Sequence, residues 1–524
     1  MRESAKLPSR ITAIIFALIL MSIGVLPVSA ASIEARDITA VSSAATEGFY
    51  NPQIVFDGNY RDYTNAYNGA VITAKNADGI GYVYLILENP AKEYTVTDTE
   101  KNEVRTFGSS GMIHELLDLK QAFGYLPAAI RIDMDFHIAV SEIYFFSDGT
   151  LPDWVQRWEK PLTESDMLLL VSHSDDDQLF FAGLLPLYAG ERGLKVQVAY
   201  FTNHNDVANR RHELLDGLWH TGVRNYPIIA EFPDLYSESL DEALAVYKSY
   251  GGYTADDFND FVYELIQGTR PLVVVTHDLN GEYGHGTHIL CANAAINAMH
   301  KATVPDKYGD IDGKWHIAKL YLHLYEENVL TLDIDKSLSA FDGKSAFKVS
   351  QEAFGYHLSQ HWTWFYGWLY GKNGAEITVS TEITTHSPRE YGLYSSAVGM
   401  DKSHNDMFEN LETIGERLER LENESRALSE SVSAEESAKI AESERLESER
   451  IESESIAQSI ADSISVENSL TGEPTNNTTS ETTVSTSQAP TRRHEEENKV
   501  VLAAIACAAA LCSAVLLYIH FKKR

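Results

Sequence analysis

Val171-Ser172-His173-Ser174-Asp175-Asp176-Asp177-Gln178 follows an apolar run, Met167 to Val171, and precedes an amphipathic one, Leu179 to Tyr188. The pattern reads as a buried strand, a short polar turn and a helix. In an open α/β sheet such a turn lies at the carboxyl end of a strand, where ligands collect. One imidazole and three carboxylates so close together repel one another unless paired, and a divalent cation is the simplest group that relieves this. An Asp-rich helix N-cap would account for the same letters, so the turn alone leaves both readings open.

A second strand-like run, Pro271 to Thr276, leads into His277-Asp278-Leu-Asn-Gly-Glu-Tyr283-Gly-His285-Gly-Thr-His288 and a helix starting near Ile289. His285 and His288 lie three apart at the entry to that helix, so both can face one point. Two strand ends that each deliver His or Asp to the same sheet edge point to a metal site. Neutral imidazole with carboxylate suits Zn²⁺, and three protein ligands with an open position suit a catalytic ion.

At these residues the chain resembles the PIG-L, or LmbE-like, family of zinc-dependent N-deacetylases, whose motifs are His-Pro-Asp-Asp-Glu after one strand and Gly-His-x-x-His at a later one. The resemblance implies His173, Asp176 and His288 as metal ligands and Asp175 as the general base. It implies His285 as the histidine assisting the tetrahedral intermediate, and Tyr283 as a tyrosine two residues before it. Asn209-Arg210-Arg211-His212-Glu213 is similar to the family's Arg-x-x-Glu, with Arg210 matching its substrate-binding arginine. Lys344 to Gln360, containing His357-Leu-Ser359-Gln360, is similar to its late Lys…His-x-Ser-Gln segment. The likeness runs from about Asp166 to Trp368. It departs from the pattern at Ser174, where Pro is usual, and at Asp177, where Glu is usual.

The chemistry is consistent with that match. Amide hydrolysis at neutral pH needs an activated water, and Zn²⁺ lowers the pKa of bound water to roughly 7. A carboxylate beside it takes the proton, and a donor beside the carbonyl supports the oxyanion. Among the other histidines, His277 reads as a structural strand-end residue and His204 and His212 as surface. His357 fits either a packing or a catalytic place.

The chain has 524 residues and a formal charge of −34, which argues against a nucleic-acid partner. Residues 1–31 carry Arg2, Lys6 and Arg10, an apolar core and Val28-Ser29-Ala30, the texture of a signal peptide. Residues 32–154 alternate short apolar runs with Gly, Asn and Asp turns, which reads as a β-sandwich accessory domain. Phe56-Asp57-Gly58-Asn59 within it loosely resembles discoidin-type carbohydrate-binding folds. Residues 155–403 alternate strand and helix patterns, the signature of a Rossmann-like, doubly wound, mostly parallel α/β sheet and the expected deacetylase domain. The run Trp362-Thr-Trp-Phe-Tyr-Gly-Trp368-Leu-Tyr370 is crowded with aromatics, some for the core and some offering platforms for sugar faces. Cys291 alone falls in this part of the chain and reads as a small buried core residue.

Residues 404–470 are Ser- and Glu-rich. Their interrupted heptads leave open a patchy coiled coil, through which copies would self-associate, and a lone solvated helix or partly disordered spacer. Residues 471–498 read as a flexible Thr/Ser/Pro linker. Residues 499–521 are long and apolar enough for a transmembrane helix, and Lys522-Lys523-Arg524 would form its cytoplasmic tail.

The expectation is a single-pass cell-membrane protein with an extracellular, zinc-dependent enzyme acting on N-acetylglucosamine-type sugars in glycans, the sugar class coming from the resemblance. A glycan-binding adhesin with a degenerate hydrolase domain, and an amidase on non-sugar acyl amides, are the alternatives.

Overall fold

The computed structural model describes residues 33–205, 207, 209–301 and 306–470. The expected signal peptide, linker, transmembrane helix and tail lie outside the described residues. Among the described residues no helix is long and apolar enough to cross a membrane.

Eight antiparallel strands come first: β1 (Ala45–Phe49), β2 (Thr64–Lys75), β3 (Tyr82–Leu87), β4 (Tyr94–Asp98), β5 (Glu103–Phe107), β6 (His114–Asp118), β7 (Ala129–Met134) and β8 (Ile138–Phe146). They form one continuous sheet, ordered β5-β4-β7-β2-β8-β3-β6, with β1 on β2. The long β2 joins its halves: residues 64–66 pair with β8, and 70–75 with β7. Period-2 alternation on β3 sends Val83, Leu85 and Leu87 into a core shared with Val96, Ile130 and Ile132 of the other half. Tyr84 and Ile86, on the opposite face, pack with Phe146, Leu151 and Val155.

The second sheet is ordered β11-β10-β9-β12-β15-β17-β16. Its strands are β9 (Ser165–Val171), β10 (Val196–Thr202), β11 (Ile228–Phe232), β12 (Pro271–Thr276), β15 (Lys319–His323), β16 (Val329–Thr331) and β17 (Glu390–Ser396); β13 (Gly309–Ile311) and β14 (Lys314–His316) form a separate hairpin. The first five strands of that order are parallel; β17 and β16 are antiparallel at one edge. β9, β10 and β12 are buried at every residue, as strands covered on both faces must be, which is why they read as largely apolar runs. Helices α1 (Asn209–His220), α2 (Leu240–Gly251), α3 (Ala255–Thr269), α4 (Gly286–Lys301), α5 (Ala346–Phe354) and α6 (Trp364–Tyr370) accompany this sheet. Cys291 of α4 is fully buried in its core.

Two expectations are corrected. The segment after β9 is not a regular helix: residues 174–183 are turns, and only a π-helical turn, Pro186–Glu191, follows. Gly183 sits at φ +86°, where a Cβ would meet Ile334 at 2.7 Å, and Pro186 brings no N–H, so helical hydrogen bonding cannot run through. Residues 404–413, assigned by composition to the stalk, belong to the α/β core through the buried Met407 and Phe408. The last helix, α7 (Ile414–Leu470), therefore starts ten residues later. Thr413 and Glu416 cap it reciprocally, at 2.8 and 3.3 Å. Beyond Arg426 its described apolar residues, from Leu428 to Ile460, are about half or more exposed. Charge pairs one turn apart, such as Lys439–Glu435 and Arg450–Glu454, run along it.

Candidate functional site

β9 and β12 are hydrogen-bonded parallel neighbours, so their carboxyl ends bring both histidine-bearing turns to one sheet edge. After β9 the backbone N–H of His173 donates to Asp176 Oδ2 at 2.7 Å, so this carboxylate closes its own turn. α4 begins at Gly286 and carries His288 in its first turn. His173 Nδ1 lies 3.0 Å from His288 Nε2 and 3.1 Å from Asp176 Oδ2. His288 Nε2 and Asp176 Oδ2 are 3.4 Å apart. Three donor atoms thus form a small, nearly equilateral triangle, and all three side chains are buried.

The outer nitrogens set the protonation of the inner ones. His288 Nδ1 meets Glu282 Oε2 at 2.7 Å, and His173 Nε2 meets Asp234 Oδ1 at 3.3 Å. An ionised carboxylate only accepts, so both outer nitrogens carry hydrogen and both neutral rings turn lone pairs inward, toward Asp176. Two lone pairs and an anionic oxygen in contact require a positive charge between them. In the protein alone a proton meets that need: burial works against it, but the Asp234 and Asp176 carboxylates hold His173 up at about 10. Burial would raise Asp176, yet His288 and His173 keep it well below the usual carboxylate range. Burial lowers His288, which favours its neutral, ligating form. A divalent ion about 2.0–2.2 Å from each donor answers the same demand, so the residues fit a metal.

Two more imidazoles border the triangle, each with a ring nitrogen within 4.8 Å of two of its donors. His277 has none to spare: its Nε2 accepts the Ser172 N–H at 2.8 Å and its Nδ1 faces Glu282 Oε2 at 2.8 Å. It is a strand-end buttress, as the sequence suggested. His285 Nδ1 accepts the Thr287 N–H at 3.2 Å, which leaves Nε2 to donate. Burial, helped by the nearby His173, pushes His285 down to about 2, so its ring stays neutral.

Asp175 Oδ1 meets an Arg210 guanidinium nitrogen at 3.1 Å, while another meets Asp234 Oδ2 at 3.0 Å. Burial raises Asp175 and Arg210 pulls it back, to about 6. Arg210, expected to bind substrate, thus has two carboxylates as partners. Tyr283 holds a left-handed backbone, φ 49°, and its ring is 5.6 Å from His285 and 5.5 Å from His288.

All seven residues singled out from the sequence, His173, Asp175, Asp176, Arg210, Tyr283, His285 and His288, gather at this edge. Two carboxylates that sequence reasoning missed hold them there. Glu282, fully buried, receives His277, His288 and, at 2.6 Å, His323. Asp234, beyond β11, gathers His173, Arg210 and His204, the last at 3.1 Å. Each had a faint signal: Glu282 lies inside the His277–His288 run, and Asp234 follows a strand end.

His204 and His212 are not surface residues as expected: they are 2% and 0% exposed. His204 Nε2 accepts the Ser174 N–H at 3.0 Å, and His212 contacts His114 and Glu88. His357 stacks on Phe354 at 5.9 Å and is buried. Ser359 donates to Glu213 of α1 at 2.5 Å, which joins the late segment to the Arg-x-x-Glu helix.

Residues 168–299 match the family model described as PIG-L, GlcNAc-PI de-N-acetylase. A 1D-myo-inositol 2-acetamido-2-deoxy-alpha-D-glucopyranoside deacetylase of Geodermatophilus obscurus is 37% identical over 24% of this chain and 38% of its own. The enzyme of the same name from Streptomyces avermitilis is 27% identical over 31% of this chain and 62% of its own. The chain therefore spans less than two thirds of the length of these relatives. A conserved protein of Thermus thermophilus aligns with a TM-score of 0.28 and 15% identity over 44% of this chain and 95% of that one. With its His–Asp–His triangle on the strand ends that the family model covers, the chain carries a PIG-L domain over residues 168–299.

Proposed function

We propose that the protein is a cell-surface, zinc-dependent N-deacetylase that hydrolyses the acetamide of N-acetylglucosamine-type sugars in extracellular glycans. The observation that carries this is the triangle of His173 Nδ1, Asp176 Oδ2 and His288 Nε2, with edges of 3.0 to 3.4 Å and a base and a donor beside it. Relatives named as deacetylases of a 2-acetamido-2-deoxy-glucopyranoside support the sugar class.

His173, Asp176 and His288 would hold Zn²⁺, which when bound supplies a Lewis acid for the carbonyl and for water. Asp175, held by Arg210, takes the proton of the attacking water. Arg210 fixes the orientation of that carboxylate. His285, neutral and with Nε2 free to donate, hydrogen-bonds the oxyanion as the carbonyl carbon becomes tetrahedral. The proton held by Asp175 passes to the sugar nitrogen as the C–N bond breaks, giving acetate and the free amino sugar. A degenerate domain would have no reason to keep base, donor and ligands together.

The test is acetate release by the purified full chain over a panel of N-acetylated glycans, before and after stripping with a chelator and restoring Zn²⁺. Activity lost on stripping and recovered with Zn²⁺ supports the proposal. No acetate from any member of the panel overturns it.

A further inference from the structure

Beside the triangle runs a series of ring contacts, Tyr236–His285–Tyr283–Trp364, of which the reaction as proposed uses only His285. On one side Tyr236, after β11, sets its ring 5.3 Å from His285 at 82° and is 66% exposed. Tyr283, 37% exposed, stands 5.6 Å from His285. On its other side Trp364 lies 5.7 Å from Tyr283 and is 43% exposed. Trp362, two residues further out, is 84% exposed.

These rings are held in place. Within α6, Phe365 and Trp368 pack against Phe180, each at 5.7 Å, and Trp368 Nε1 donates to the Thr385 carbonyl at 3.0 Å. Leu369 is fully buried. The inward residues fix the helix, and Trp362 and Trp364 are left facing outward at its start. Tyr236 is steadied by a hydrogen bond from its hydroxyl to Glu238 at 3.1 Å. Three ring-to-ring steps of 5.3, 5.6 and 5.7 Å lead from Tyr236 through His285 and Tyr283 to Trp364, so exposed rings continue beyond the reacting centre.

Resting on the glycan reading above, we infer that the substrate is an internal residue of a polysaccharide, whose neighbouring sugars stack on Tyr236 on one side and on Trp364 and Trp362 on the other. Pyranose rings present C–H faces to aromatic rings and hydroxyl edges to polar groups, and both are offered here, with the Glu238 carboxylate bound to Tyr236. A single acetamido sugar would need only the centre. A lipid would need a continuous apolar floor, which this carboxylate interrupts. Binding energy gathered on distant sugars can position the reacting acetamide, so chain length should govern efficiency.

The experiment compares N-acetylglucosamine with penta-N-acetylchitopentaose on the full chain. The pentasaccharide should show a kcat/KM at least about tenfold higher, mostly through KM, with the first acetyl lost from an interior sugar by mass spectrometry. Trp362→Ala, Trp364→Ala and Tyr236→Ala should each raise the pentasaccharide KM and shrink that ratio, while Trp364→Phe keeps most of it. Equal kcat/KM for the two probes, loss from an end sugar, or alanine variants that keep the full length preference would overturn the inference. A binding arm separates it from the proposed reaction: tryptophan fluorescence of Asp175→Asn should report affinity that rises with chain length and falls in the Trp variants. If that holds without acetate release by the parent protein, the reaction fails and the track stands. If affinity is independent of length, the track fails.

Discussion

Asp175 and Asp176 are chain neighbours with opposite electrostatic fates. Asp176 faces two histidines and is held ionised, whereas Asp175 is burdened by burial and by Asp176 and is relieved by Arg210. One carboxylate is thereby suited to ligation and its neighbour to proton transfer. Asp175→Asn should keep stoichiometric zinc by mass spectrometry yet lose roughly 10²–10⁴ in turnover, because a carboxamide accepts no proton at neutral pH. His288→Ala should lose zinc; full zinc in that variant would refute the ligand set. Glu282 anchors the outer nitrogen of His288 at 2.7 Å, so Glu282→Gln should weaken zinc binding by about 10–100-fold in a competition titration with a chelating dye. An unchanged zinc affinity would make Glu282 a packing residue only. The ligands and the base were legible because a motif fixes their spacing along the chain. Glu282 and Asp234 were not, since their roles depend on which strand ends the fold brings together. His204 and His212 misled for a related reason: polar neighbours such as Asn203 and Asn205 mark a loop, but not what later covers it.

Strands were easier to read than turns. A strand buried on both faces, such as β9, is a largely apolar run, and the strands of the antiparallel sheet show as short apolar runs between Gly, Asn and Asp turns. The segment after β9 carries helix-like amphipathicity, yet the left-handed Gly183 and the N–H-less Pro186 override it. The join between the two halves of the antiparallel sheet depends on β2 changing partners midway, which no local pattern announces. One tight contact between elements carries a measurable consequence. Glu142 of β8 accepts the Gly58 and Asn59 N–H groups at 2.8 and 3.1 Å, while burial, with Asp57 alongside, pushes it up to about 7. The folded-state value lies above the ordinary value of 4.5, so the stabilising proton is fully bound below about pH 4.5 and lost as pH rises through 7. The thermal midpoint should therefore decline between pH 5 and 8. Glu142→Gln, which keeps an acceptor and carries no charge, should flatten this decline. A variant that follows the parent's pH curve would show that Glu142 does not titrate in this range.

At the scale of the molecule, the antiparallel sheet and the α/β domain are joined by a buried polar seam. Tyr84 Oη contacts His114 Nδ1 at 2.7 Å, His114 Nε2 contacts His212 Nδ1 at 2.9 Å, and His212 Nε2 contacts Glu88 at 3.1 Å. Tyr60 donates to Asp216, and Arg61 pairs with Glu213 at 3.4 Å, so α1, which carries Arg210 at one end, is gripped from the first domain along its length. Separating the domains would strand these groups without partners, and buried polar groups are costly to leave unpaired. The root of α7 is fixed in the same manner: Asp166 of β9 accepts the Ile414 N–H at 2.6 Å, and Lys319 pairs with Asp401 at 2.5 Å out of solvent. If, as proposed, the enzyme is held at the cell surface, with residues 1–31 removed as a signal and 499–521 in the membrane, residues 32–498 would lie outside the cell. The Thr/Ser/Pro-rich stretch 471–498 is the segment whose composition offers a protease the least resistance. Protease added to intact cells should therefore release one soluble fragment that contains both domains, retains the acetate-releasing activity and ends within 471–498. Two separate domain fragments would contradict the seam. Protection of the whole chain until the cells are lysed would place the enzyme inside, and the extracellular-glycan reading would fall with it, while the metal site and its chemistry would stand.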